Sequence, residues 1–535
     1  MKSIKKFLAV ILSMTLMLTL GTAAFGAQKT LPSGKDTGSI NVTNLKPGDT
    51  VTAYQFVKAD YNEYGFTGYS AINNYVKDPV APTAQEVIDM ASNAATMTVA
   101  AEKKVATGDT EVTLNGLPVG YYLVMVTSGS ETVYSPMIAG IYYSKSATDN
   151  TLTNGAISAD SDFEIKAQKC WAKSSTPKLE KTIVTPSSKN SKGDDIAIGD
   201  KITFNLSATV PSYSKEYKKV TYKIYDIMSE GLDYVDGSMK CFIEKYENNR
   251  ENIKVTPKVN GGIIEITFDS KFILEHPGQK IQVGYQAKLN EKAGVNFDAN
   301  INKAYLEYSN NPASGSTAKT GEDKVYVYTF GIDSNLFGKS TEKWNEKTKE
   351  LIKVEEGEYQ WVETEKESGI FTTTTALEGA TFTLTNNKTK KSYTATSDKY
   401  GYLKFTGLDA GEYTLQETDA PDGFTLNDAK HTVVITAEYN QDGTLKSYTI
   451  KIDDKATSTY TATYDKGVIK TITSTKDSQG NISESAILKN SKMSFLPSTG
   501  GVGTTIFAIV GVVFVAVALG LHMILRGKSK LEQDR

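Results

Sequence analysis

The residues with the plainest chemical meaning sit near the C-terminal end of the 535-residue chain, in Leu496-Pro497-Ser498-Thr499-Gly500. Pro497 fixes its own φ and Gly500 has no side chain, so this peptide is kinked, extended and open to an enzyme groove around Thr499-Gly500. Such a segment is a substrate. An apolar run, Ile506 to Leu525, follows within a span placed at 505–525, and the tail 526–535 carries Arg526, Lys528 and Lys530. Roughly twenty apolar residues cross a bilayer, and a basic flank holds the tail on the cytoplasmic side with the pentapeptide outside. A second chemical signal is Glu417 in Tyr413-Thr-Leu415-Gln-Glu417. Strand alternation puts Tyr413, Leu415 and Glu417 on one face, the core face of a sandwich strand. A lone carboxyl among inward apolar side chains is costly unless it has chemical work to do.

Turnover catalysis finds little footing. His276 and His431 sit in unrelated stretches and His522 lies in the apolar span, so no histidine-based triad or zinc cluster can be assembled. No glycine loop suited to phosphate is present, and the chain is expected to be neither an enzyme nor a carrier of metal or cofactor. A formal net charge of -3 offers no basic surface for nucleic acid.

The elements that must position these groups are strands. Thirty tyrosines, many Thr and Val, and short alternating runs broken by Gly, Asn-Gly or Asp-Gly turns predict an all-β chain of tandem immunoglobulin-like sandwiches. Residues 1–27 have a basic start, an apolar centre from Phe7 to Leu20 and small residues after it, which is a secretory signal peptide. About 470 residues then remain before the Leu496–Gly500 peptide, enough for three units of ordinary size: 28–173, 174–329 and 330–494. The first starts with strand-like Ser39-Ile-Asn-Val-Thr43 and Thr50 to Val57, and holds a helix capped by Thr83 and Glu86 ahead of Val87, Ile88 and Ala91. Its stretch Gly116-Leu-Pro-Val-Gly120-Tyr-Tyr122-Leu-Val124 recurs as Gly407-Leu-Asp-Ala-Gly411-Glu-Tyr413-Thr-Leu415, an internal echo that predicts related sandwiches. In that frame Val126 stands where Glu417 stands, so the first unit lacks the same buried acid. Cys170 and Cys241 are the only cysteines; two cannot make a disulfide framework for an exported chain of this size, and whether they pair is left open.

The pentapeptide, span and basic tail in this order resemble the LPxTG sorting signal of Gram-positive surface proteins, matched at all four fixed positions. The resemblance implies that a sortase cysteine cleaves between Thr499 and Gly500, holds the Thr499 carbonyl as a thioester and passes it to an amine. Tyr413-Thr-Leu415-Gln-Glu417-Thr418-Asp-Ala420-Pro421-Asp-Gly423-Phe424 is similar to the E-box of the collagen-adhesin B-type domains found in pilins. By that likeness Glu417 assists an intramolecular Lys-Asn isopeptide bond, with Lys339 and Asn490 as its partners from the first and last strands of the unit. The charged stretch Ser340 to Gly369 looks like an insertion. Burial favours neutral forms of amine and acid; a neutral amine attacks the amide carbon, and the acid steadies the intermediate and moves a proton as ammonia leaves.

The middle unit resembles its counterparts in backbone pilins through Leu179-Glu-Lys181, Asp226 ahead of Gly231-Leu232, and Asn302-Lys-Ala304. The implied triad is Lys181, Asp226 and Asn302, with Asp226 in the part Glu417 plays downstream. Trp171-Ala-Lys173-Ser174 occupies the place of the acceptor segment of shaft pilins, although Ala172 and Ser174 replace the expected Pro and Asn; Lys173 is the acceptor expected, and Lys178 in Pro177-Lys178 is its rival. The resemblance thus implies the major shaft subunit of a covalent pilus, secreted and anchored to the wall of a Gram-positive cell. Its expected partners are a pilin-type or housekeeping sortase, further copies of itself, minor pilins, peptidoglycan and a host surface ligand. The alternative is a monomeric wall-linked adhesin or a minor tip or base pilin.

Overall fold

A computed structural model describes residues 31–129, 131–145, 156–158, 162–184, 190–244, 250–332, 337–345, 348–354, 358–364, 371–399, 401, 403–453, 455–475 and 486–490. The signal segment 1–27, the sorting motif 496–500, the span 505–525 and the tail 526–535 lie outside the described residues. Among the described residues no helix is long and apolar enough to cross a membrane.

The N-terminal part packs two sheets on one another. Thr37–Thr43 runs between Glu111–Pro118 and, in parallel, Cys170–Trp171. Facing it are Gly65–Ala71, Thr50–Asn62, Gly120–Thr127, Met137–Ser144 and Glu164–Ala167, in that spatial order. Ile40, Val42, Val51, Leu114, Tyr122 and Val124 fill the space between. The helix forms at Ala84–Ser92 with both hydrogen bonds of the Thr83–Glu86 capping box in place. Its Val87, Met90 and Ala91 close over Phe56, Tyr121 and Leu123 on the outer face of the larger sheet, which is why Gly120–Thr127 is buried on both faces rather than alternating.

In the middle part each sheet does alternate. Lys201–Thr209 turns Ile202, Phe204, Leu206 and Ala208 inward and leaves the intervening residues partly exposed or at the surface, as a period of two requires. One sheet runs Leu179–Ile183, Lys201–Thr209, Lys280–Leu289, Lys240–Glu244 and Arg250–Asn252. The other runs Gly193–Asp195, Asp323–Tyr328, Asn300–Asn311, Tyr222–Met228, Ile263–Thr267 and Lys258–Asn260. Gly231 lets the turn after Tyr222–Met228 pass against its neighbours, since a Cβ there would lie 2.1 Å from Asn300 Oδ1 and 2.7 Å from Ala293 Cα.

The C-terminal part is built on a sheet that includes Thr381–Asn386, Gly411–Asp419, Lys430–Tyr439 and Leu445–Ile452. A second ladder pairs Phe337–Asn345 antiparallel with Phe371–Ala376 and parallel with Ala486–Asn490. The charged stretch predicted as an insertion therefore carries ordered strands, because Thr348–Val354 and Glu358–Thr364 form a hairpin of their own between the paired strands. The middle and C-terminal parts meet closely. Ile198 N donates to Gly407 O at 3.0 Å and Leu445 N to Tyr328 Oη at 2.9 Å. Asp195 accepts from Tyr439 Oη at 2.6 Å and from the Ala410 amide.

Candidate functional site

The two echoed stretches share a local device. Gly116 and Gly407 adopt φ of 70° and 77°, a region open to glycine, and each turn is tied by a tyrosine to a carbonyl four residues earlier. Tyr122 Oη donates to Pro118 O at 2.5 Å, and Tyr413 Oη to Asp409 O at 2.8 Å. On the strands that follow, Val126 and Glu417 are both buried.

The middle part brings its three expected residues into one dry site. Lys181 on Leu179–Ile183, Asp226 on Tyr222–Met228 and Asn302 on Asn300–Asn311 are each 0 % exposed. Met228 stands opposite Asn302 and Asp226 opposite Ala304 in antiparallel register, so the acid and amide come from neighbouring strands of one sheet and the amine from the other. Lys181 Nζ contacts Asp226 Oδ2 directly and lies 4.9 Å from the Phe204 ring centre. Burial pulls the Lys181 amine below its ordinary value, against the opposing pull of the Asp226 carboxylate. Asn302 Oδ1 is buried without a hydrogen bond.

Sequence reasoning missed a fourth residue, Tyr285. Its hydroxyl lies 3.2 Å from Lys181 Nζ, donates to Asp226 Oδ1 at 2.8 Å and accepts from Asn302 Nδ2 at 2.7 Å. Tyr285 alternates inward on Lys280–Leu289 opposite Phe204. No motif marks it; its only sequence signal was a core-facing tyrosine, a residue whose hydroxyl needs a partner when buried.

In the C-terminal part Glu417 is 2 % exposed, as alternation required, and accepts from the Asn427 amide at 2.7 Å. Lys339 and Asn490 lie on adjacent parallel strands, with Lys339 paired to Leu488 and Thr341 to Asn490; their side chains lie outside the described residues. The two candidate acceptors, Lys173 and Lys178, are both exposed but belong to different supports. Lys173 O accepts from Ser135 N at 3.0 Å, on the N-terminal side, whereas Lys178 O accepts from Thr209 N at 3.3 Å, on the middle side. Trp171 beside Lys173 is 69 % exposed. Cys170 and Cys241 are separate, buried thiols, pushed up to about 12 by burial, so no disulfide supports the described structure. The described residues include no group of three or more side chains placed to hold a metal.

Comparison with known proteins assigns these pieces. Residues 35–174 match the T6 antigen Ig-like domain, 360–453 the SpaA prealbumin-like fold domain and 489–530 the LPXTG cell wall anchor motif. The trypsin-resistant surface T6 protein of Streptococcus pyogenes serotype M6 is 26% identical over 549 residues, covering 93% of this chain and 96% of that protein. The solved T6 backbone pilin of serotype M6 Streptococcus pyogenes superposes with a TM-score of 0.57 at 20% identity, over 86% of this chain and 100% of its own. The full-length major pilin SpaD of Corynebacterium diphtheriae gives 0.46 at 15% identity, over 88% and 100%. With an LPXTG anchor following a SpaA domain and a T6-type Ig-like domain, the chain is similar over its length to the sortase-assembled, cell-wall-anchored pilins of Gram-positive bacteria.

Proposed function

We propose that the chain is the shaft subunit of a covalently polymerised pilus, built of three units at 28–173, 174–329 and 330–494. A sortase joins Thr499 of one copy to Lys173 of the next, and peptidoglycan takes the last thioester. Minor pilins and a host surface ligand complete the expected partners. The observation that carries this reading is the meeting of an amine, a carboxyl and a carboxamide in the dry interior of the middle sandwich. Three such groups are expensive to bury, and a one-time condensation that removes the amine and amide as separate polar groups gives the expense a purpose.

In that reaction Lys181 Nζ attacks Cγ of Asn302, Asp226 shuttles the proton, and ammonia leaves. It happens once on folding and is not turnover. Glu417, Lys339 and Asn490 do the same in the C-terminal unit, while Val126 leaves the N-terminal unit without this acid. Support for the acceptor comes from the exposed Lys173 at the end of the T6-like match.

The test is mass spectrometry of material released from the wall. A ladder whose rungs contain Thr499 linked to Lys173, with each subunit lighter by two ammonias, is the expected result. Peptidoglycan-linked monomer alone, in cells expressing a pilin-type sortase, would instead make the chain a wall-anchored adhesin or a minor pilin.

A further inference from the structure

We propose that Tyr285 is a catalytic residue of the middle-unit condensation, carrying the proton from Asp226 to the departing Asn302 nitrogen. The inference rests on the cross-linking roles assigned above to Lys181, Asp226 and Asn302. Three observations lead to it. First, the Tyr285 hydroxyl lies within hydrogen-bond reach of all three reacting side chains. Second, Asp226 uses its two oxygens for two different partners, Oδ2 toward the Lys181 amine and Oδ1 toward Tyr285. Third, the Asn302 atom on the Tyr285 hydroxyl is Nδ2, the atom that must gain a proton to leave, while Oδ1 has no hydrogen bond.

Packing alone would be served by phenylalanine. The Tyr285 ring lies 5.5 Å from Phe204 and 5.8 Å from Tyr234, contacts that need no hydroxyl. Adding one places another polar atom in a site already crowded with them. Burial, together with the Asp226 carboxylate, holds the phenol well above its ordinary value, so the group stays a hydroxyl and a proton donor.

The step balances as follows. Lys181 and Asp226 react as amine and carboxylic acid, one proton having moved along their contact. The Nζ lone pair adds to Cγ of Asn302, forming the Nζ–Cγ bond and a tetrahedral centre. Nζ then gives one proton to Asp226, Asp226 gives one to the Tyr285 oxygen, and the Tyr285 hydroxyl gives its own to Nδ2. The Cγ–Nδ2 bond breaks and ammonia departs. Asp226 and Tyr285 end as they began, and one amide has replaced one amine and one primary amide. With the relay in place the carboxyl receives at one oxygen and delivers from the side of the other, without crossing the site.

Tyr285→Phe tests the relay because it keeps the ring and deletes only the hydroxyl. The full mature chain is sampled at intervals after a translation pulse, denatured and digested with trypsin. The peptides holding Lys181 and Asn302 are then quantified as separate species or as one joined species lighter by an ammonia. The expected result is the same joined product formed about 10²-fold more slowly, the usual worth of a positioned proton donor. Unlinked Tyr285→Phe should melt only a few degrees below Asn302→Ala, which cannot link, because it also gives up the bond to Asp226 Oδ1. Linking at the wild-type rate would overturn the proposal, and so would melting well below Asn302→Ala, which would make the hydroxyl a stabilising group. Absence of joined peptide in the wild-type chain is a different failure, removing the cross-link itself and the relay with it.

Discussion

Asn302→Ala separates a cross-linked middle unit from one held only by non-covalent contacts. The substitution removes the electrophile and leaves the Lys181–Asp226 pair intact, so no buried charge loses its partner. Without a cross-link its cost is small: one hydrogen bond from Nδ2 to Tyr285 disappears, worth about 1 kcal/mol. Removing Oδ1, which has no hydrogen bond, offsets part of that. With a cross-link the cost is of another order. A bond from Lys181 to Asn302 closes a loop of more than a hundred residues, and the chain-entropy argument then gives about 5 kcal/mol. For a unit of this size each kcal/mol moves the midpoint by about 2–4 °C, so the two cases predict drops of about 10–20 °C and of under about 4 °C.

Calorimetry of the mature chain reads this directly, the middle unit being the transition that moves. Intact mass taken on the same sample must rise relative to wild type by the ammonia no longer lost, after correction for the substitution. A small shift in midpoint together with unchanged ammonia count would refute the cross-link at Asn302. A large shift without any change in ammonia count would refute the entropy argument and make Asn302 a packing residue.

Glu417→Ala should abolish the C-terminal bond, so that the chain retains one more ammonia and is cut by trypsin after Lys339; an unchanged mass removes Glu417 from the chemistry. Lys173→Ala should eliminate the high-molecular-weight ladder on gels and leave wall-linked monomer, because cleavage at Thr499 does not need the acceptor. Lys178→Ala should polymerise normally, and the reverse pattern would move the acceptor. Asp195, pushed up to about 6 chiefly by burial, binds its proton more tightly folded than unfolded. Its contribution at the joint is therefore fully present below about pH 4 and is lost as pH rises through about 6. Melting curves across that range should show the decline, and Asp195→Asn should flatten it.

Much of this was legible in sequence because local rules and tertiary structure agree. Thr83 and Glu86 cap a helix that the core accepts, and the period of two in Tyr413-Thr-Leu415-Gln-Glu417 delivers the carboxyl inward as alternation demands. Lys181 and Asp226 could be placed from motifs since each lies on a strand with clean alternation. Tyr285 could not. Its neighbours Val283 and Ala287 share its face and its pattern, and only register against Phe204 and the approach of the opposite sheet bring its hydroxyl to Asn302. The Asp195 joint was equally hidden, because Tyr439 and Ala410 lie more than two hundred positions away and the pairing depends on how two sandwiches abut.

The positions of the proposed bonds follow from where a shaft carries load. With Lys173 as acceptor, tension enters the chain at the end of the N-terminal unit and leaves at Thr499. It reaches the middle unit on Leu179–Ile183 and departs after Asp323–Tyr328, and Asn300–Asn311, which carries Asn302, is hydrogen-bonded to that exit strand. A Lys181–Asn302 bond thus joins the entry strand to the neighbour of the exit strand, so residues 182–301 hang outside the path and their hydrogen bonds need not resist extension. Lys339 and Asn490 repeat the arrangement, on parallel strands near the start and at the end of the C-terminal unit, Phe337–Asn345 following the short strand Phe330–Ile332. The residues before Lys173 carry no load in this geometry. Val126, in the frame where the C-terminal unit has Glu417, fits that geometry: a unit that tension bypasses needs no bond through this strand, and a valine serves its core better than a lone buried acid.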